Sequence, residues 1–152
     1  MKTEPDVFSI DDLFKAPRKI SAWEGVRNYQ ARNFMRDLFK LGDEVFIYHS
    51  SCAEPGIAGI AVVTKEAYLD PSALNVESPY FDQASKKLGT SRWCMVDVRG
   101  EKKFSRIFSL KQIKEDPKLK SMSVCQKGSR LSIQPVAEQH FRYLTKLCAS
   151  ML

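Results

Sequence analysis

The chain has 152 residues, 43% hydrophobic and 28% charged, which fits a single folded domain and excludes a disordered chain. Lys and Arg outnumber Asp and Glu by 24 to 18, for a formal charge of +6 and a pI near 9.2, a balance that favours an anionic partner such as nucleic acid. No apolar run approaches the ~20 residues of a membrane helix, and Lys2, Glu4, Pro5 and Asp6 interrupt the place where a signal peptide has its apolar region, so a cytoplasmic protein without membrane contact is expected.

Taken in chain order, Val7 to Ile10 reads as a short strand, followed by a turn of helix opened by the capping pair Ser9 and Asp12 and ended by Pro17. Past Trp23 and Gly25, the spacing of Ala31, Phe34, Met35, Leu38 and Phe39 predicts a helix over 29–39 with Asn28 as its N-cap and Gly42 as its stop. Val45 to Tyr48 is a continuous β-branched and aromatic run, a strand buried on both faces. The turn at Pro55-Gly56 leads into Ile57 to Val63, predicted to pair back as a hairpin. Gly59 inside that strand marks a bulge or a close approach of ligand or backbone.

The stretch from Asp70 to Gly89, rich in Pro, Ser, Asn and Asp, reads as one long loop with little regular structure, and long loops in compact domains often carry function. Trp93 to Val98 alternates as a sheet strand does, Arg99-Gly100 breaks it, and Lys103 to Phe108 is a further strand. Ser109 and Gln112 have capping-box spacing for a short helix that fails by Pro117. Ser129 to Val136 is expected as a strand, and Ala137 to Leu147 as a helix docked on the sheet. Together these elements predict an α+β domain on a mixed, curled sheet or small barrel.

The residues offer little catalysis. His140 lies among polar neighbours and reads as a surface residue; His49 ends a buried strand beside Ser50 and Cys52, where adjacent side chains point to opposite faces and no orienting acid is evident. Cys52, Cys94, Cys125 and Cys148 lack the spacing of a zinc site or a disulfide framework, and no glycine-rich phosphate loop is present. No enzyme activity, metal or cofactor is therefore expected. Between Arg99 and Arg130, eight further Lys or Arg face only Glu101, Glu115 and Asp116, which is either a solvated surface or a phosphate-tracking face. The segment from Trp23 to Asn33 sets aromatics among amides and arginines: Trp23 or Tyr29 could stack on a base, Asn28 or Asn33 could read its edge, and Arg27 or Arg32 could meet phosphate. Equally, Trp23 could be core and Asn28 only a cap.

The run Trp23-Glu24-Gly25-Val26-Arg27-Asn28-Tyr29-Gln30-Ala31-Arg32-Asn33-Phe34-Met35 closely resembles the signature of the EVE domain family. Lys2-Thr3-Glu4-Pro5, Tyr48-His49-Ser50, Gly56-Ile57-Ala58-Gly59-Ile60-Ala61 and Lys127-Gly128-Ser129-Arg130-Leu131-Ser132-Ile133-Gln134-Pro135-Val136 also fit it, in order over nearly the whole chain, in the compact bacterial form. The resemblance implies a PUA-like fold, a small curled β-barrel with flanking helices, related to the YTH readers of methylated adenine. It also implies non-catalytic recognition of a modified nucleobase, a methylated or hydroxymethylated cytosine in DNA or, alternatively, a site in RNA, flipped into an aromatic and polar pocket. On that resemblance Trp23 forms a wall, with Val26, Arg27 and Asn28 on base and phosphate. Ser50 and Gly59 line the floor, Tyr80 closes the pocket, and Arg130 and Ser132 stand at the rim. Tyr29, Arg32, His49 and Lys127 complete the set of candidate contacts. A hydrolase of modified nucleosides, as in some PUA-like relatives, is the less favoured alternative.

Overall fold

The apolar runs on either side of Pro55 pair as the middle of one mixed sheet in the computed structural model, which describes residues 1–150. β1 (Lys2–Thr3), β2 (Ile20–Ala22), β3 (Glu44–His49), β4 (Gly56–Leu69) and β5 (Cys94–Ser109) lie in the order β1-β3-β4-β5-β2. β1 runs parallel to β3, and the other neighbours are antiparallel. The outer strands, β1 and β2, do not pair with each other, so the sheet stays open rather than closing into the expected small barrel. Each outer strand pairs over only two or three residues, too short an edge to close on.

Both faces of the sheet are covered, as the continuous apolar runs require. On one face α1 (Ile10–Lys15) and α2 (Tyr29–Asp37) bury Ile10, Leu13, Ala31 and Met35 against Ile47, Ala58, Ala61, Val96 and Val98. On the other, α4 (Leu110–Glu115) and α5 (Glu138–Ala149) bury Ile113, Leu144 and Cys148 against Phe46, Tyr48, Ile57, Ile60 and Phe104. The local signals explain most of the helix starts: Ser9 with Asp12 and Ser109 with Gln112 form complete capping boxes, and the Asn28 side chain accepts from the Ala31 amide.

Four sequence expectations are corrected. Val7 to Ile10 is not a strand, because the Ser9 cap makes Ile10 the first residue of α1 and the edge strand forms earlier, at Lys2–Thr3. The segment from Asp70 to Gly89 is not a bare loop: Asp70 caps a 3-10 turn over Pro71–Leu74, and Asp82 caps α3 (Gln83–Leu88). Arg99-Gly100 does not break β5, which runs 16 residues; Gly100 is needed because a Cβ there would lie 2.6 Å from the Phe14 ring. Ser129 to Val136 has no strand partner, its tie to the sheet being the Lys2 amide donating to the Ser132 carbonyl at 2.7 Å, and Pro135 removes a donor that a ladder would need.

Of the histidines, His140 departs from its expected surface position, while His49 ends a buried strand as expected. His140 is 8% exposed and lies 3.4 Å from the Ser121 hydroxyl. His49 is buried at the end of β3, and its Nε2 accepts the Ile10 amide at 3.0 Å, satisfying one of the free N–H groups that open α1. Burial pushes the His49 imidazole below its ordinary value of 6.5, the nearby Asp11 pulling weakly the other way. A histidine depressed in the fold binds fewer protons than it does unfolded, so native stability falls as pH drops through 6.5. Urea midpoints measured from about pH 7.5 to about pH 5.5 should therefore decline, and His49→Gln, which keeps an acceptor but cannot titrate, should flatten that decline.

Candidate nucleic-acid interface

The chain from β2 to α2 is held in place by one carboxylate. Asp70 is 0% exposed; it accepts the Gly25 amide at 2.9 Å and Arg27 Nη1 at 3.0 Å through Oδ2, and the Ser72 amide and hydroxyl through Oδ1. Burial, the largest single influence, works to raise the Asp70 pKa, but the bonds from Gly25, Ser72 and Arg27 together outweigh it and leave the carboxyl below its usual range. Gly25 takes φ +84°, and a Cβ there would meet the Tyr80 ring at 2.6 Å, so this turn both needs left-handed backbone and leaves no space for a side chain.

Arg27 binds the neighbouring segment instead of facing water. Its Nε and Nη2 donate to the Tyr80 carbonyl at 3.0 and 2.7 Å, and Nη2 also reaches the Ser72 hydroxyl at 3.1 Å. Asp82 does the same work from the other side, accepting from the Ser85 hydroxyl, from Arg92 Nε at 3.0 Å and from Trp93 Nε1 at 2.9 Å. The Ser85 and Arg92 bonds hold its carboxyl well below the usual carboxylate range.

These two clamps build an aromatic corner. Trp93, 4% exposed, stacks on Tyr29 with ring centroids 4.8 Å apart and an interplanar angle of 25°. Arg32 and Arg92 lie 4.8 and 5.5 Å from the Tyr29 centroid, and Arg27 lies 5.5 Å from that of Trp93. Arg27 and Arg92 have carboxylate partners; Arg32 has none among the described residues, being held by the Arg92 carbonyl and the Asn33 side chain. Tyr29 is 49% exposed and is the one aromatic among the exposed large apolar side chains of the described residues. The corner can therefore present a half-exposed tyrosine and a guanidinium with no carboxylate in ion-pair contact to a ligand.

The thirteen sequence candidates do not gather at one point. Arg27, Tyr29, Arg32 and Tyr80 meet around Trp93, with Asn28 capping the adjoining helix and Val26 buried beneath it. Trp23 is 7% exposed and lies edge-on to Phe8 in the core. Ser50 donates to the Thr3 carbonyl, and His49 is engaged with Ile10. Gly59 sits in β4 where a Cβ would meet the Lys102 carbonyl at 2.3 Å, so the close approach it permits is that of the neighbouring strand. Lys127 and Arg130 are exposed on the irregular segment before α5. Ser132 lines a separate cavity of about 50 Å³ with Lys2, Phe46, Tyr48, Ile113 and Gln134. Asp70, Asp82, Arg92 and Trp93 were missed by sequence reasoning; the Asp82–Ser85 spacing, a cap signal inside the supposed loop, could have pointed to them. No cluster of three or more His, Cys, Asp or Glu suited to a metal occurs among the described residues, and no helix there is long and apolar enough to cross a membrane.

The fold recurs in proteins of known structure. Residues 1–147 match the EVE domain family. A Pseudomonas putida protein is 45% identical with a TM-score of 0.90, covering 97% of this chain and 96% of that one. Human thymocyte nuclear protein 1 is 40% identical over an alignment of 164 residues, covering 97% of this chain and 72% of the human one. The human THYN1 protein in complex with DNA containing 5-methylcytosine is 41% identical with a TM-score of 0.88, covering 97% of this chain and 94% of that one. The chain belongs to the EVE domain family.

Breaking the central clamp should be costly. Asp70→Asn removes the charge that holds Arg27 and two amides, and urea unfolding is expected to show a loss of about 2–3 kcal/mol.

Proposed function

We propose that the chain is a non-catalytic reader of a modified base in nucleic acid, with 5-methylcytosine in DNA as the first candidate. The observation that carries this reading is the human THYN1 protein in complex with DNA containing 5-methylcytosine, 41% identical over 97% of this chain. The fold is proposed to be of the PUA-like type, in an open form. In this reading Tyr29, backed by Trp93, is the stacking surface, because both tryptophans are buried and Tyr29 is the one aromatic among the exposed large apolar side chains of the described residues. Arg32, free of a carboxylate, meets the phosphate beside the base, and Asn28 at the helix start lies next to both.

A base inside a duplex must be extruded before it can stack there, at a cost of a few kcal/mol. Stacking on an aromatic returns about 1–3 kcal/mol per base, so selectivity has to come from contacts to the modified edge and affinity partly from phosphates. Fluorescence anisotropy with matched DNA and RNA oligonucleotides carrying cytosine, 5-methylcytosine, 5-hydroxymethylcytosine, adenine or N6-methyladenine tests the reading. A preference of roughly tenfold for one modified base, ~1.4 kcal/mol, is expected to survive added salt. Tyr29→Ala, on an exposed side chain, should weaken binding by roughly fivefold to a hundredfold with the fold intact by circular dichroism. Equal binding of every base at all salt concentrations would rule the reading out. Trp23→Ala is the poorer probe, because truncating a buried tryptophan costs about 3–5 kcal/mol of stability by itself.

A further inference from the structure

The basic stretch that begins at Arg99 has a particular shape. β4 advances two residues from Ile57 to Gly59 while β5 spends five from Lys103 to Phe108, and Glu101 is a further extra residue between the partners of Ala61 and Ile60. Bulges of this kind re-aim side chains. Within the arm Phe104 turns into the core at 5% exposure, while Lys102, Lys103 and Arg106 stand out into water.

A second basic feature adjoins the arm. Arg18 and Lys19 take φ +56° and +58° in the turn that leads into β2, whose Ile20 pairs with Arg99. Left-handed backbone is disfavoured for long side chains, and two such residues in succession persist only where the surroundings hold them. Lys19 Nζ lies 5.1 Å from the centroid of the Phe14 ring, the same ring that fills the space over Gly100, so the turn lies against β5 where the arm begins. The acids there are Asp11, bound to Lys103, Asp12, engaged with the Ser9 amide, and Glu101. Arg18, Lys19, Arg99, Lys102 and Arg106 take part in no ion pair among the described residues.

We infer that the Arg18-Lys19 turn and the bulged arm of β5 form one rail for the phosphodiester backbone of nucleic acid; the inference rests on the nucleic-acid reading above but not on base selectivity. Cations without acid partners fit a polyphosphate, which releases counterions on binding. An anionic membrane surface fits less well, because none of the exposed large apolar side chains lies in segments 10–22 or 94–109 to insert into it.

The rail is tested with the triple variant Arg18→Gln, Lys102→Gln and Arg106→Gln, set against a control of equal charge, Lys40→Gln, Lys120→Gln and Lys146→Gln. Binding of unmodified and 5-methylcytosine duplexes is measured by anisotropy at several salt concentrations. The expected result is binding roughly tenfold or more weaker for both duplexes, with the slope of log affinity against log salt reduced by about 2–3 for the rail variant and little changed for the control. The ratio between the duplexes should stay as in the parent chain, whereas Tyr29→Ala should change that ratio. A rail variant whose slope equals the control's, or a parent chain with no salt-dependent binding at all, overturns the inference. A parent chain with no base preference but with the expected difference in slopes supports the rail while counting against the reader.

Discussion

Everything exposed at the aromatic corner depends on one buried carboxylate. Asp70 lies at the end of β4 with no solvent contact and gathers a backbone amide from the turn before α2, a guanidinium from the same turn and a serine from its own. A lone buried charge would be prohibitive; here four bonds and an opposite charge replace its hydration. Arg27, positioned by that carboxylate, grips the Tyr80 carbonyl with two nitrogens, which fixes the segment 70–93 against the start of α2. Without that grip Tyr29 and Trp93, contributed by elements 64 residues apart in sequence, would keep only the Asp82 clamp to hold them together.

The arginines of this corner divide into two kinds, and net charge alone conceals the division. Arg27 and Arg92 are bound to Asp70 and Asp82 and serve as structural fasteners, whereas Arg32 rests on a carbonyl and an amide oxygen and forms no ion pair among the described residues. A formal charge of +6 spread over the sequence thus overstates what the corner offers and understates what the β5 arm offers. The same holds for the aromatics: two tryptophans are present, and both are committed to packing.

Much of the fold could be read from residue types because the signals were local. Capping boxes at Ser9 and Ser109, the Asn28 cap and the β3–β4 hairpin all depend on neighbours within a few residues, and each is found where its pattern placed it. The misreadings share a cause in distant contacts. Gly100 looked like a strand breaker and is a space left for Phe14, whereas Gly59, expected at a bulge or a close approach of ligand or backbone, does sit at a register shift with the Lys102 carbonyl close by. Distant contacts also engage two of the candidate contact residues, Trp23 lying edge-on to Phe8 and Arg27 binding the Tyr80 carbonyl. The family signature marks the stretch that meets the segment 70–93, and which of its members face solvent was decided by that segment, whose caps were mistaken for loop composition.

The length of β5 gives the molecule a ruler. One continuous strand carries Cys94, next to the stacked Trp93, at one end and the Lys102 to Arg106 bulge further along. Nine residues from Trp93 to Lys102 span at most about 30 Å of extended backbone, and the bulged register shortens this. Because the strand is hydrogen-bonded to β4 along its course, that separation cannot flex as two modules on a linker would. A polyanion touching both places must therefore present its charges within a fixed footprint, of the order of nine nucleotide steps or fewer at about 3.4 Å each.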